Sequence, residues 1–275
     1  MTELQSYGGY YLWNYVPSRA AAVIFILLFL GATAYHIAKI WKLKTYFCIC
    51  FTIGGIFEVI GYCARGVAHD RTGQIMPYSI QSVFILLGPT LFAASVYMVL
   101  GRVIVAVHGE RHCPIRVRWL TKLFVVGDVL SFVIQGGAAG MMVSSDMASM
   151  GNTLVIVGLF VQITMFGLFI VTAIVFQVRM RRRPTAESFD ISLRWEYHIV
   201  TLHLVSLLIM VRSLFRVAEF VMGHDGYLLQ HEWPLYVCDA LLMWLVMVIF
   251  GIRYPGEIAG AVGRHERVKM SDMGA

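Results

Sequence analysis

The chain has 275 residues, of which 59% are hydrophobic and only 14% charged. A mean hydropathy of +0.73 excludes a water-soluble domain of this length. The net charge of +6 is no nucleic-acid signal, because the basic residues gather in alternate connections between long apolar runs.

A membrane-spanning helix needs about 20 apolar residues. Seven runs qualify, near 17–41, 45–66, 77–107, 119–144, 152–178, 196–222 and 234–252. The connections are too short to hide a further domain, so the expected fold is all-α, one polytopic seven-helix bundle. Lys39, Lys42 and Lys44 flank the first connection, and Arg111, Arg116 and Arg118 lie in the third. Arg179, Arg181, Arg182, Arg183 and Arg194 lie in the fifth, and Arg253, Arg264, Arg267 and Lys269 close the chain. The N-terminal tail and the other three connections hold only Arg71. The positive-inside rule then sets the N-terminus outside and the C-terminus in the cytosol. The expected divisions are an extracellular tail (1–16), a transmembrane domain (17–253) and a cytosolic tail (254–275). No basic segment precedes an early apolar stretch, so helix one is expected to serve as its own insertion signal. The cysteines form no CxxC or Cys/His zinc pattern. Cys63 and Cys238 fall near the outer ends of their helices, which leaves a disulfide open beside two free thiols. Cys113, in a basic loop, is a free thiol or a palmitoylation site.

Taken in order, the tail is aromatic, with Tyr7, Tyr10, Tyr11, Trp13 and Tyr15 ahead of Pro17. It reads as an interfacial anchor, with a ligand lid as the alternative. Helix one carries only His36, expected as a hydrogen-bonded histidine near the inner end. Helix two places Glu58 and Arg65 on one face, with Gly54, Gly55 and Gly61 allowing close helix approach. Helix three has Gln81 and Pro89. The proline frees a carbonyl, which either lines a cavity or is bonded by a neighbouring helix. Arg102 is expected to snorkel or pair near the inner end.

Helix four carries Asp128 and Gln135 seven apart, with Ser131 near the same stripe and Gly136-x-x-x-Gly140 as a packing motif. Helix five adds Gln162 with Gly158 one turn before it. Helix six holds Arg212-Ser-Leu-Phe-Arg216-Val-Ala-Glu219, whose three charged groups fall within about 60° of one another. Helix seven adds Asp239. Each buried charge costs about 2.5–3.5 kcal/mol on insertion scales, so these groups are expected to face one another inside the bundle. Most of them lie in the outer half of the membrane. The outer loops add His69, Asp70, Asp146, His224, Asp225, His231 and Glu232, with almost no balancing base. Such a chamber suits the polar head of an amphiphile whose chain stays in lipid; the plainer reading is a structural network. The spacings Gly66 to Pro77 and Gly223 to Pro234 match, a weak hint of a parallel repeat.

Several of these stretches resemble the fungal Rta-like, or lipid-translocating exporter, family. They are Glu58-Val-Ile-Gly-Tyr-Cys-Ala-Arg65, the run from Gln81 through Gly88-Pro89-Thr90 to Arg102, Asp128-Val-Leu-Ser-Phe-Val-Ile-Gln135-Gly-Gly and the Arg212–Glu219 motif. Asp239, after Glu232 and Tyr236, fits as well. The resemblance runs from Tyr15 to about Gly256. It implies a seven-helix fungal membrane protein tied to lipid stress: resistance to sterol-like amines, release of sphingoid long-chain bases, or porphyrin movement. It favours the plasma membrane. Arg253-Tyr254-Pro255 departs from the His-Pro expected at the end of helix seven.

The leading function is therefore a lipid exporter without an energy domain, since no Gly-x-x-x-x-Gly-Lys phosphate loop occurs. Glu58, Glu219 and Asp239 are expected to receive an amine, with Arg212 and Arg216 stabilising the carboxylates. Arg65, Gln81, Asp128 and Gln135 complete the candidate substrate-binding set. A seven-helix lipid sensor is the alternative, and a porphyrin-binding transporter the minor one. An intramembrane zinc hydrolase fits poorly, because His198 and His203 diverge on their helix and no His-Glu-x-x-His occurs. No catalytic residue, metal or cofactor is expected. The expected partners are a membrane lipid and the bilayer, with no nucleic acid, and a homo-oligomer stays open.

Overall fold

The computed structural model describes Trp13 and residues 15–70, 72–141, 148–189, 194–222 and 226–256. Tyr7, Tyr10, Tyr11, Arg71, Asp146, His224, Asp225, Arg264, Arg267 and Lys269 lie outside the described residues. The long helices are α1 (Arg19–Leu43), α2 (Ile49–Ala68), α3 (Ile75–Ala106), α4 (Val117–Met141), α5 (Ala148–Arg182) and α6 (Trp195–Met222), followed by α7 (Trp233–Ile252). A short helix, Tyr227–Gln230, precedes α7. The described residues include no strand.

Among the described residues, six helices are long and apolar enough to cross a membrane: α1, α2 with the turn before it, α3, α5, α6 and α7. The remaining predicted run is also helical, as the 25-residue α4. Polarity is distributed inside out relative to a water-soluble fold. Leu27, Val126, Val133, Leu168 and Leu207 are each more than half exposed, whereas Glu58, Arg65, Asp128, Arg212 and Asp239 are buried. A bundle with an apolar exterior and charged groups inside is matched to lipid, not water. The protein is a multi-pass integral membrane protein.

Each helix packs on its neighbours in sequence, and α7 returns to α1, closing a ring. α3 also touches α6 and so stands nearest the centre. The α2–α3 contact is made close by glycine. A Cβ on Gly54 would come within 2.9 Å of the Gly88 carbonyl oxygen, and one on Gly61 within 2.6 Å of Ile85. In α4, Gly136 faces open space, and tight approaches of α4 to α5 fall at Gly158, whose Cβ would lie 2.7 Å from Gln135, and at Gly127, whose Cβ would lie 2.8 Å from Met165.

Pro89 sits inside the continuous helix α3. Having no N–H, it leaves the carbonyl of Ile85, four residues earlier, without its helical donor. Arg212 of α6 takes that place, its Nη2 donating to the Ile85 oxygen at 3.0 Å. Of the two readings of Pro89, the freed carbonyl is thus bonded by a neighbouring helix. Cys63 and Cys238 are both free thiols, so the open question of a disulfide between them is answered.

Candidate functional site

Spacing along four helices assembles one polar cluster. Arg212, Arg216 and Glu219 recur at i, i+4 and i+7 on α6, and Glu58, Tyr62 and Arg65 follow the same rule on α2. On α3, Gln81, Ile85 and Gly88 share a stripe, and α7 contributes Tyr236 and Asp239. Asp239 lies in a π-helical turn, Tyr236–Leu241, a rare form frequent at functional sites.

Asp239 bridges both arginines. Arg212 Nε donates to its Oδ1 at 2.7 Å, and Arg216 Nη2 donates to Oδ2. Arg216 Nη1 donates to Glu219 Oε2 at 2.9 Å. Arg212 and Asp239 are each 1% exposed, so this ion pair is cut off from its surroundings. Glu58 is equally buried, and its carboxyl rests on Gly88, where a Cβ would meet Oε1 at 2.5 Å. The charges acting on Glu58 are those of Asp239, Arg212 and Arg216.

Several atoms of the cluster are buried without a hydrogen-bond partner among the described residues. They are both Glu58 oxygens, the Tyr62 hydroxyl, Gln81 Oε1, Arg212 Nη1 and Arg216 Nε. Such groups are costly unless something satisfies them. Acceptors and donors are both among them, so the cluster can take an ammonium or a carboxylate.

Arg65 forms a second layer toward the end of the bundle where α1 begins. Its Nε donates to the Tyr236 hydroxyl at 3.0 Å, and its Nη2 to Tyr15 at 2.9 Å and to Glu232 at 2.8 Å. Its guanidinium also lies over the rings of Trp13, Tyr15 and Tyr236, at 5.1–5.6 Å. Glu232, counted from sequence among unbalanced acids, therefore has its base. The same carboxylate accepts from the Ser18 backbone N–H at 2.8 Å, and His69 Nδ1 donates to the Pro17 carbonyl at 2.7 Å. Arg19 pairs with Asp70. Trp13 is buried and meets Tyr78 of α3 edge-on, with ring centres 5.4 Å apart. Trp13 and residues 15–18 thus cap the bundle above the charged cluster.

Two predicted residues lie elsewhere. Asp128 of α4 accepts from the Tyr97 hydroxyl of α3 at 2.9 Å. Gln135 belongs to a neutral seam between α4 and α5: its Nε2 donates to Ser131 Oγ at 2.8 Å and to Gln162 Oε1 at 3.3 Å. Ser131 Oγ in turn donates to the Gly158 carbonyl at 2.6 Å. Away from these sites, His36 is buried and its Nε2 donates to the Met247 carbonyl at 3.0 Å. Arg102 lies over the ring of Phe47 at 4.4 Å, a cation–π contact. Tyr254, at the departure from the family pattern, hydrogen-bonds Thr45, and Arg253 stacks on Tyr197 at 4.7 Å. Among the described residues, no group of three or more His, Cys, Asp or Glu could hold a metal ion.

Sequence reasoning missed Tyr62, the Arg65–Glu232 pair and the Arg212–Ile85 bond. Tyr62 is one turn from Glu58, and Ile85 is four residues before Pro89, so both had a local signal. The Arg65–Glu232 pair is a long-range contact and had none.

Fold and cluster together define a multi-pass helical membrane protein with a capped, buried network of charge. The chain belongs to the family described as RTA1 like protein, whose model matches residues 51–261. It is 35% identical to protoporphyrin uptake protein 1 of Saccharomyces cerevisiae, covering 89% of this chain and 92% of that one. It is 34% identical to protein RTA1 of the same yeast, covering 90% and 86% of the two chains. It is also 26% identical to the yeast sphingoid long-chain base transporter RSB1, covering 88% and 72%. No solved structure matches the chain.

Proposed function

We propose that the protein moves an amphiphilic lipid carrying an amine, such as a sphingoid long-chain base or a sterol-like amine, across or out of the membrane. It would thereby confer resistance to toxic lipids, without enzymatic chemistry. The observation that carries this reading is Glu58, a buried carboxyl with both oxygens unpartnered beside an arginine–carboxylate network. An ammonium brings Glu58 the hydrogen bonds and the opposite charge that it lacks. Tyr62 and Gln81 offer oxygens for hydroxyls of the same head group, and the relative named as a sphingoid base transporter supports that class. Arg65, with its aromatic cap, is the outer gate. An apolar groove of about 310 Å³ between α1 and α7, lined in part by Leu27, Gly31, Trp244 and Met247, offers a place for the chain. In this reading the bundle has seven crossings and sits in the plasma membrane. The N-terminal cap is outside, and the tail from 254 onward is cytosolic.

A second reading rests on the unpartnered donors Arg212 Nη1 and Arg216 Nε, which suit the carboxylates of a porphyrin. A relative named as a protoporphyrin uptake protein is consistent with it. Transfer of labelled sphingoid base, porphyrin and a control phospholipid by purified protein in liposomes separates the two. Selective transfer of the base, lost in Glu58→Gln, is the expected result. Porphyrin transfer that survives Glu58→Gln would favour the second reading. No transfer of any of the three by folded protein would favour a lipid sensor that acts through a cytosolic partner.

A further inference from the structure

The cluster where α2, α3, α6 and α7 meet holds three carboxyl groups, Glu58, Glu219 and Asp239, against two guanidinium groups, Arg212 and Arg216. The arginines are already engaged: both by Asp239, and Arg216 by Glu219 as well. Arg65 cannot supply the missing charge, because it is paired with Glu232 in the layer above. Glu58 is the carboxyl left over. It is 1% exposed, and neither oxygen has a partner.

The groups that face Glu58 can be named helix by helix. Tyr62 stands one turn away on α2, with its own hydroxyl unpartnered. α6 presents Arg212 and Arg216, and α7 presents Asp239. α3 presents uncharged Gly88, against which the carboxyl rests. α1, packed on α2, carries no Asp, Glu, Lys or Arg between Arg19 and Lys39. A buried site with one carboxyl in excess is not left with a net charge, because an uncompensated ion in low dielectric is far more costly than a neutralised one.

We propose that the missing positive charge is supplied in turn by a proton and by the ammonium of the transported amphiphile, so that Glu58 exchanges one for the other. The proposal rests on the amine-binding reading above and adds its coupling ion. In the exchange, R–NH3⁺ enters and the O–H bond of the Glu58 carboxyl breaks. The proton passes to water, and the carboxylate accepts an N–H from the ammonium. One positive charge enters as one leaves, and nothing is oxidised or reduced. The Tyr62 hydroxyl, one turn from Glu58 and itself unpartnered, offers the head group a further hydrogen bond. Reversal returns the proton and releases the amine, so a proton gradient can drive the amine without nucleotide hydrolysis.

The test is calorimetric titration of the full chain in detergent with a short-chain 2-amino-1,3-diol. It is run at mildly acidic pH, where the free amine is fully ionised, in two buffers with different heats of ionisation. The wild type is expected to release one proton per amine bound, seen as a buffer-dependent heat. Glu58→Gln is expected to lose the release and weaken binding roughly tenfold or more, the scale of a lost charged hydrogen bond. Glu58→Asp, checked by its unfolding curve, keeps the carboxyl and is expected to keep the release. Amine binding with the same heat in both buffers overturns the exchange and leaves the amine site standing. An amine that does not bind the folded wild type overturns both.

Discussion

Two buried polar seams run through this bundle on opposite plans. Between α4 and α5 the groups are neutral: Ser131, Gln135, Gln162 and the Gly158 carbonyl form a chain of bonds of 2.6–3.3 Å, with Gln135 Oε1 alone of them buried and unpartnered among the described residues. Where α2, α3, α6 and α7 meet, the groups are charged, and several keep unpartnered atoms of both signs. Interhelical hydrogen bonds of the first kind contribute about 0.6 kcal/mol each and serve as glue. Buried charges of the second kind cost about 2.5–3.5 kcal/mol each on insertion scales. Holding helices together does not account for that expense when a neutral seam would do. In the proposed function the charged seam is the site and the neutral one a joint.

The largest expected effect comes from Asp239→Ala, which strands both arginines in the bundle. Removing one partner of a buried pair costs about 3–5 kcal/mol, so the variant should unfold at markedly lower temperature in detergent or fail to accumulate. Asp239→Asn, which keeps an acceptor, should lose less. Glu58→Gln comes next and tests the difference between site and joint. Its unfolding should stay within about 1 kcal/mol of wild type, the scale of an ordinary hydrogen bond, while lipid transfer falls roughly tenfold or more. A variant that loses stability and transfer together would make Glu58 structural.

Pro89→Ala should act more mildly. It restores an N–H able to bond the Ile85 carbonyl and so competes with Arg212 for it. Helix stability should rise or hold, and transfer should fall severalfold as Arg212 is released; unchanged transfer would detach Pro89 from the site. In the neutral seam, Gln162→Leu removes one acceptor from Gln135. It should cost about 0.6 kcal/mol and leave transfer within about twofold. The smallest effect is at Cys113, in the loop before α4, where burial raises the thiol above its ordinary range. The thiolate is the reactive form, so maleimide labelling should be slow at neutral pH and quicken as the pH rises. Fast labelling at neutral pH would contradict the burial.

Much of this was legible in the sequence because membrane depth penalises charge so heavily. The Arg212, Arg216 and Glu219 stripe follows from helical spacing, and the need for partners inside the bundle from its depth. Glu58 and Arg65 were placed on one face of α2 for the same reason, and both are buried there. That rule does not say which carboxylate goes with which base. Nothing local indicates that Arg65 takes Glu232, or that both Glu58 oxygens are left without a hydrogen-bond partner. Gln135 joins the candidate set because it shares the cluster's depth, and Asp128 because it is an intramembrane acid on the same stripe of α4. Depth does not fix azimuth, and α4 turns Asp128 to Tyr97 and Gln135 to α5. Gly136 itself meets open space, since small residues permit close packing without requiring a neighbour. Trp13 and Tyr15 carried the composition of an interfacial belt. Their role as a cap depends on Arg65 lying beneath them.

The central claim, that the amine lodges in the charged seam, is tested most directly by photocrosslinking. A sphingoid base with a diazirine close to its amine would be irradiated with the full chain in liposomes, and the labelled peptides mapped. Labelling of the α2 segment around Glu58 and of Arg212–Glu219, competed by unlabelled base and lost in Glu58→Gln, is the predicted result. Labelling confined to α4 and α5, or unchanged in Glu58→Gln, would contradict it.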